Sequence, residues 1–265
     1  MKQFYFFALL LFLGIILNAQ TTYFSYEQAL ADNNVRSIEE DIYGNVWIGT
    51  TSGITKFDGT DFISYNTTDG LGGNVVYDIL AHSNGNIYAA TAGGMSVFDG
   101  TTWVNYTSGT GMPTGTIWAV EEDNDGNIWV GSSANGMAYY DGVDWHTFSV
   151  DQGLIANGVK VIYADRNDNI WFGTGSGLSI YDGVEFKNFN TSTGLPGNLI
   201  NDIIQLYDGD IVIAIIVGLG IYDIQAWTSI TMTGGLPTAN ILTLKEDYDQ
   251  NLWMGASVGL IKYDW

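Results

Sequence analysis

The chain of 265 residues offers two histidines and no cysteine for catalytic chemistry. A Ser-His-Asp arrangement needs a histidine within hydrogen-bond reach of a nucleophile and a carboxylate. His82 stands at a turn position where comparable segments carry Asp, and His146 stands in a short, polar β-segment. We predict that neither reaches a shared site, and we assign no catalytic residue.

One acidic segment has the spacing of a metal loop. Asp123, Asp125 and Asn127, with Gly126 between the last two, resemble the opening of a calcium-binding loop. The twelfth position counted from Asp123 is Ala134, where such a loop needs Glu. We therefore interpret the segment as a turn and predict no metal ligand and no cofactor. A calcium ion held by backbone carbonyls would leave no sequence signal.

The charge of the chain limits its partners. It has 29 acidic residues against 8 Lys and Arg, a formal net charge of −21. Such a surface repels nucleic acid and anionic membranes. We expect neither as a partner, and we leave the oligomeric state open.

Six copies of one pattern, spaced 41 or 42 residues apart, must position any site. One landmark follows a turn ending in Asn or Asp: Trp47, Tyr88, Trp129, Trp171, Val212 and Trp253. The other is an aromatic residue followed by Asp: Phe57, Phe98, Tyr140, Tyr181, Tyr222 and Tyr263. A period near 40 is typical of propeller blades and of helical arrays.

The content of each copy decides between these two folds. Residues 35–66 contain four short apolar segments separated by Gly, Asp and Asn turns, which is typical of four strands joined by tight hairpins. A four-stranded sheet cannot bury both faces alone, so the copies must pack face to face around a channel. The sequence predicts an all-β, six-bladed propeller of four-stranded antiparallel blades.

The two ends of the chain are complementary. The last copy stops after its third strand, whereas Tyr23-Phe24-Ser25-Tyr26 resembles a fourth strand such as 62–65. We expect this N-terminal segment to complete the last blade and close the ring. The predicted propeller spans 20–265, with repeats at about 34–73, 74–115, 116–157, 158–198, 199–239, and 240–265 completed by 21–33.

Residues 1–19 have the composition of a secretory signal peptide. Lys2 precedes an apolar run over 4–17, and Ala19 offers a small residue for cleavage. Fourteen apolar residues are short for a bilayer span of about 20. We expect a periplasmic or secreted protein with no membrane insertion after cleavage.

The consensus of the copies is similar to the two-component regulator propeller repeat. It is clearest at 45–50, 127–132 and 169–174, where Asn is followed by an apolar residue, Trp, a second apolar residue, Gly and Thr or Ser. The fifth copy departs most, with Val212 for Trp and Ile224 for Gly, so blade five is expected to pack differently at its outer edge.

This resemblance implies an extracytoplasmic sensor module, as in hybrid histidine kinases of Bacteroidetes that respond to polysaccharide fragments. The immunoglobulin-like domain, membrane span and kinase of those proteins are not found after the repeats. We therefore expect a stand-alone binding protein for a glycan or a protein partner. A truncated sensor portion of a hybrid histidine kinase is the alternative.

One column of the first strand differs from copy to copy while its neighbours stay apolar. Its members are Arg36, Tyr77, Trp118, Lys160, Asn201 and Leu242. In a closed ring this column would circle the mouth of the channel, where aromatic rings could stack on sugars and the cations could bind carboxylate or sulfate. The column is either a ligand-binding ring or a set of unconstrained exposed residues.

The carboxylates Asp78 and Asp202 support an enzymatic alternative. They occupy equivalent positions on two inner strands, where a lyase or hydrolase acting on polysaccharide could use them. Since three copies separate them, we expect no direct contact. Streptogramin lyases have similar repeats and, by that resemblance, rely on a channel histidine, which no inner strand supplies here.

Overall fold

The computed structural model describes residues 29–107, 111–238 and 240–263. Within these ranges the chain forms six antiparallel sheets in sequence order, five of four strands and the last of three. The predicted all-β, six-bladed propeller with four-stranded antiparallel blades is confirmed. The predicted signal peptide and the predicted closing strand lie outside the described residues.

The strands of the first three sheets follow one another along the chain. They are β1 (Val35–Glu40), β2 (Val46–Thr50), β3 (Ile54–Phe57), β4 (Phe62–Tyr65); β5 (Val76–Ala81), β6 (Ile87–Thr91), β7 (Gly94–Phe98), β8 (Trp103–Tyr106); β9 (Ile117–Glu122), β10 (Ile128–Ser132), β11 (Met137–Tyr140) and β12 (Trp145–Phe148).

The last three sheets repeat this arrangement. Their strands are β13 (Val159–Ala164), β14 (Ile170–Thr174), β15 (Leu178–Tyr181), β16 (Phe186–Phe189); β17 (Ile200–Gln205), β18 (Ile211–Ile215), β19 (Gly218–Tyr222), β20 (Trp227–Ile230); β21 (Ile241–Glu246), β22 (Leu252–Ala256) and β23 (Gly259–Tyr263). Short 3-10 helices at Thr67–Asp69, Val150–Gln152, Thr191–Thr193 and Met232–Gly234 lie in connections between sheets.

The sheets stand radially, with the first strand of each innermost. β1 packs on β5, β5 on β9, β9 on β13, β13 on β17 and β17 on β21. Each of these five junctions holds a buried apolar cluster, for example Trp47 with Ile79 between sheets one and two. Trp47, Trp129 and Trp171 are therefore part of the core between blades, and their regular spacing follows from their equivalent positions in successive blades.

The connection into each blade contacts the third strand of that blade in one of two ways. In blades one, two and four a backbone N–H donates to a Ser or Thr hydroxyl: Ala31 to Thr55 at 3.0 Å, Gly72 to Ser96 at 2.9 Å and Ile155 to Ser179 at 3.0 Å. In blades three, five and six the same position is Pro113, Pro196 and Pro237. Proline has no N–H, and the facing residues, Ala138, Gly220 and Ile261, have no hydroxyl.

Blade five differs from the prediction. Its outer strand β20 pairs with β19 as the outer strands of blades one to four pair with their neighbours, so the outer edge is regular. The difference lies in the turn before β20, where Ile224 has φ of 74°. The copies with Gly at this position, such as Gly183 at 90°, adopt the same left-handed backbone without a side chain.

No helix in the described part of the chain is long and apolar enough to cross a membrane.

Candidate functional site at the channel mouth

The structure places all six members of the variable column at the second residue of an inner strand. The preceding residue is buried in blades two to six, where Val76, Ile117, Val159, Ile200 and Ile241 have no exposed surface. This buried apolar residue holds the start of each inner strand in place. The next residue, the member of the variable column, lies on the channel side of the strand. We call the six variable residues the channel ring.

Several ring residues contact the next blade. The Arg36 guanidinium lies 5.1 Å from the centre of the Tyr77 ring. The Lys160 Nζ donates to Asn201 Oδ1 at 2.7 Å, and Asn201 Nδ2 donates to the carbonyl of Ile241 at 2.6 Å. Trp118 lies beside Gly158, at the connection into blade four. Leu242 is half exposed and has no polar group to offer.

The ring has an internal two-fold pattern. The two cations, Arg36 and Lys160, stand 124 residues apart in the sequence, and each contacts the ring member of the following blade. Blades one to three thus correspond to blades four to six. The side chains available to a ligand are a cation on each half, with Tyr77 and Trp118 on one half only.

Directly below the ring, Asp78 joins three blades. Its Oδ1 accepts from the Ser37 hydroxyl of blade one at 3.2 Å and from its neighbour's N–H at Ile79 at 2.9 Å. Its Oδ2 accepts from the N–H of Val120 in blade three at 3.2 Å. Burial raises the pKa of Asp78 to about 7, although these hydrogen bonds oppose the shift.

Asp202 occupies the same position in the second half of the molecule. Its Oδ2 accepts from the Leu244 N–H at 2.7 Å and the Thr243 hydroxyl at 2.9 Å, both in blade six. Burial raises the pKa of Asp202 as well. Both carboxylates therefore act as clasps between inner strands, and their acceptor sites are used by the protein itself.

Two further carboxyls lie deeper along the inner strands. Burial raises the pKa of Glu121 well above its usual value, and the nearby Asp78 and Glu39 add to this effect. Burial also raises the pKa of Glu39, opposed by the charge of Lys245 on blade six. The inner strands below the ring thus carry four carboxyls whose pKa values are raised by burial.

The histidines lie away from the ring. His82 is in the β5–β6 turn, where its Nδ1 accepts from the Asn84 N–H at 2.9 Å. His146 is on the outer strand β12, stacked on Tyr139 at 4.6 Å between ring centres and 2.9 Å from Asp141 Oδ2. Ser83 Oγ lies 3.5 Å from His82 Nδ1 and Glu122 Oε1 lies 3.6 Å from His82 Nε2, but the Ser83 hydroxyl donates to Glu122 and not to the imidazole. Neither histidine is therefore placed as the base of a Ser-His-Asp arrangement.

The calcium-like segment forms a hydrogen-bonded turn. Asp123 Oδ1 accepts from the N–H groups of Asp125 and Asn127, and its Oδ2 accepts from Trp129 Nε1 at 2.7 Å. The same Asp-to-Trp bond occurs at Asp41, Asp165 and Asp247. Among the described residues no group of three or more His, Asp or Glu is arranged to hold a metal ion.

Sequence reasoning missed this Asp–Trp clasp, although its signal is present. Blades one, three, four and six have Asp six residues before Trp, whereas blades two and five have His82 with Tyr88 and Leu206 with Val212. Blades two and five replace both members of the pair, as expected for a hydrogen bond that needs both the Asp carboxylate and the Trp indole. The clasp is structural, and it leaves the channel ring as the main variable feature of the repeats.

The family model described as "Two component regulator propeller" matches residues 29–52, 111–134 and 153–176. No curated protein matches the sequence significantly. Among solved structures, the chain is similar to the extracellular domain of the putative hybrid two component system BT3049 from B. thetaiotaomicron. The TM-score is 0.79 at 21% identity, covering 92% of this chain and 35% of that one.

Two further structures share the fold. The extracellular domain of the putative one component system BT4673 from B. thetaiotaomicron gives a TM-score of 0.75 at 19% identity, covering 88% of this chain and 34% of that one. Virginiamycin B lyase from Staphylococcus aureus gives a TM-score of 0.70 at 14% identity, covering 87% of this chain and 84% of that one. The chain spans about a third of the length of the two extracellular domains. The chain is a six-bladed β-propeller, three segments of which match the two-component regulator propeller model.

Proposed function

We propose that this protein is an extracytoplasmic, sensor-type binding propeller that recognises an acidic glycan at its channel mouth. The observation that carries the proposal is the channel ring, where Arg36 lies over Tyr77 and Lys160 is held by Asn201. Only 8 of 265 residues are Lys or Arg. Two of them in one column of six concentrate positive charge on an otherwise strongly acidic molecule.

The chemistry of the ring suits a sugar with carboxylate or sulfate groups. Arg and Lys form charge-assisted hydrogen bonds with such groups, and Tyr and Trp offer flat apolar faces for a sugar ring. The raised pKa values of Asp78 and Asp202 lessen the negative charge directly below the cations. A protein partner with an acidic, extended segment is the other ligand that this chemistry fits.

Extracytoplasmic placement is supported by the N-terminal sequence and by the relatives. Lys2 followed by the apolar run at 4–17 has the composition of a signal peptide, and two similar structures are extracellular domains. N-terminal sequencing of the protein exported by a bacterial host would test this. The proposal requires a mature chain that begins near Gln20.

A thermal-shift screen against neutral and acidic oligosaccharides, followed by calorimetry, tests the glycan proposal. We expect Arg36→Ala to weaken binding of an acidic hit about tenfold, the loss of roughly one charge-assisted hydrogen bond. We expect Trp118→Ala to weaken acidic and neutral variants of the same hit alike, because stacking does not depend on ligand charge.

Two variants control for side effects of these changes. Lys56→Ala removes the same charge from β3, away from the ring, and Tyr248→Ala removes a fully exposed aromatic ring from the β21–β22 turn. Both should bind as the wild type does. Unchanged affinity in Arg36→Ala and Trp118→Ala would reject the ring as the site, and cleavage of the glycan by purified protein would favour an enzyme.

A further inference from the structure

Each blade turns a row of side chains toward the following blade. In blade one the row is Trp47, Lys56 and Ile63, which lie opposite one another on β2, β3 and β4. The Trp47 ring lies 5.6 Å from the Phe98 ring of blade two, so the row faces that blade. The other rows that contain Trp are Trp129, Tyr139 and His146 in blade three, Trp171, Ile180 and Lys187 in blade four, and Trp253 with Lys262 in blade six.

The rows of blades one, four and six each carry a lysine that lies over an aromatic ring. Lys56 Nζ is 5.7 Å from the centre of the Trp47 ring, and Lys262 Nζ is 6.0 Å from that of Trp253. Lys187 Nζ is 5.9 Å from the centre of the Tyr222 ring, which belongs to blade five. A cation within about 6 Å of a ring centre is attracted by the negative face of the ring. At these three places the chain supplies its own ammonium group.

The row of blade three has no lysine. Tyr139 stands where blades one and six have lysine, and its ring centre lies 4.6 Å from that of Trp129. His146 stands at the position of Lys187 in blade four. It stacks on Tyr139, and its Nε2 lies 2.9 Å from Asp141 Oδ2. The imidazole is thus engaged within its own sheet.

An open groove of about 330 Å³ lies in front of this row, between blades three and four. Its aromatic walls are Trp129 and Tyr139 of blade three and Tyr181 of blade four, and the Tyr181 ring centre lies 6.1 Å from that of Trp129. Ile170 adds an apolar surface. A volume of this size is at the lower end of the range for small-molecule sites.

The groove is also acidic. The described residues that line it include no Lys or Arg and four carboxylates, Asp123, Asp125, Asp168 and Asp182. Asp182 Oδ1 accepts from the N–H groups of Glu185 and Val184, at 2.8 and 2.9 Å. These bonds hold the pKa of Asp182 below its usual value, so the carboxylate is charged at neutral pH. The groove therefore combines aromatic rings with negative charge that no lysine of its row offsets.

We propose that this groove binds a small organic cation that carries a primary ammonium group on an alkyl chain. The ammonium group lies against the Tyr139 and Tyr181 rings and beside the Asp182 carboxylate, as lysine ammonium groups lie over aromatic rings in the other three rows. The alkyl chain covers Ile170. The inference goes beyond glycan recognition, since the groove is a second site, apart from the channel ring, for a ligand of opposite charge.

An NMR titration of the folded protein with n-pentylammonium chloride tests the proposal. At an ionic strength of about 0.15 M, exposed charges more than roughly 8 Å apart are screened. We expect n-pentanol, which has the same alkyl chain and no charge, to bind about tenfold more weakly. Equal affinities for the amine and the alcohol, or no binding of the amine, would overturn the proposal.

Tyr139→Lys places in blade three the residue that blades one and six have at this position. We expect it to weaken n-pentylammonium binding at least about tenfold, because its own ammonium group then occupies the groove. Tyr248→Lys adds the same charge at a fully exposed position in the β21–β22 turn and should bind the amine as the wild type does. Unchanged affinity in folded Tyr139→Lys, or an equal loss in both variants, would contradict the assignment.

Asp182→Asn tests the charge alone and does not depend on the folding of Tyr139→Lys. Asparagine keeps a side-chain oxygen for the N–H groups of the turn, and we expect binding of the amine to weaken about threefold. The matched control is Asp99→Asn in blade two, where Asp99 Oδ1 accepts from the N–H groups of Thr101 and Thr102 in the same way. Asp99→Asn should leave the affinity unchanged. Equal losses in these two variants would show that the amine responds only to net charge and would overturn the site.

Discussion

At the scale of single residues, Ile224 stands out as a side chain in a backbone conformation that disfavours it. Its φ of 74° is left-handed, and the four counterparts with glycine have φ between 90° and 94°. A β-branched residue in this region is strained by about 1–3 kcal/mol. The side chain is 74% exposed, so little packing offsets the strain.

We therefore predict that Ile224→Gly stabilises the protein by about 1 kcal/mol. The gain is smaller than the strain because glycine also makes the unfolded chain more flexible. Urea unfolding measured at fixed pH checks this. Val184→Gly changes an equally exposed residue beside Gly183 whose backbone is not left-handed, and it should give no gain; stabilisation of both variants would rule out backbone strain as the cause.

Asp78 gives a prediction for pH. Its pKa is about 7 in the folded protein and 3.8 in a model peptide, so the folded state binds the proton more tightly than the unfolded state. Its contribution to stability is complete below about pH 4 and is lost as pH rises through 7. Asp202, Glu121 and Glu39 have pKa values raised in the same direction.

The free energy of unfolding should accordingly be larger at pH 5.5 than at pH 8. Asp78→Asn should be less stable at pH 5.5, because it loses an acceptor for backbone N–H groups, and its stability should fall less between the two pH values. Urea titrations of the wild type and of Asp78→Asn at both pH values, at constant ionic strength, give the four free energies of unfolding. A wild type that is more stable at pH 8 would contradict the buried carboxyl assignment.

At the scale of elements, the turn between the first two strands owes its shape to one carboxylate in four of the six blades. Asp165 is 3% exposed and accepts from the N–H groups of Asn167 and Asn169 and from Trp171 Nε1, at 2.8–2.9 Å. Its removal leaves the buried Trp171 Nε1 and two partly buried backbone N–H groups without their acceptor, at about 1–3 kcal/mol for each donor that water does not reach.

We predict that Asp165→Ala lowers the free energy of unfolding by about 3 kcal/mol, near the upper range for a single substitution. The matched control is Asp208→Ala, in the same turn of blade five, where Asp208 accepts from the Asp210 N–H and Leu206 with Val212 replaces the Asp–Trp pair. The control should cost less than about 1 kcal/mol. Equal losses in the two variants would show that the Asp–Trp bond adds nothing to blade stability.

Much of each blade could be predicted from sequence because its signals are local and repeated. Turn residues and apolar alternation locate the strands, and six copies separate constrained positions from free ones. The contacts of Asp78 could not be predicted in this way. They depend on the Ser37 hydroxyl of blade one and the Val120 N–H of blade three, and the sequence does not show that these groups lie within reach of Asp78. The column of ring residues could be identified from the sequence, whereas the contact between Arg36 and Tyr77 could not.

At the scale of the whole molecule, the two halves related by 124 residues share their cations and their buried carboxylates but differ in aromatic content. Arg36 and Lys160 correspond, as do Asp78 and Asp202, whereas Trp118 corresponds to Leu242. A ligand that contacts both cations would span the channel, with its sugar rings on the side of Tyr77 and Trp118. We expect Lys160→Ala to weaken binding about as much as Arg36→Ala, measured by calorimetry with the same acidic oligosaccharide.

Unequal effects of these two variants would mean that the ligand stays on one half of the ring.

A competing location is also defined by the structure. It is a groove of about 330 Å³ between blades three and four, lined by Trp129, Tyr139 and Tyr181 among others. Its aromatic and acidic lining would suit a neutral or cationic ligand. We therefore expect such a ligand in this groove and an acidic ligand at the channel ring.

Hydrogen exchange with and without the best acidic oligosaccharide from the screen locates the ligand on the wild-type protein most directly. If the channel ring is the binding site, the ligand slows exchange at the first residues of the inner strands, around 35–37, 76–78, 117–119 and 159–161. Exchange in the β10–β11 and β14–β15 hairpins stays unchanged. Slowing confined to those hairpins, with the inner strands unaffected, would contradict recognition at the channel mouth.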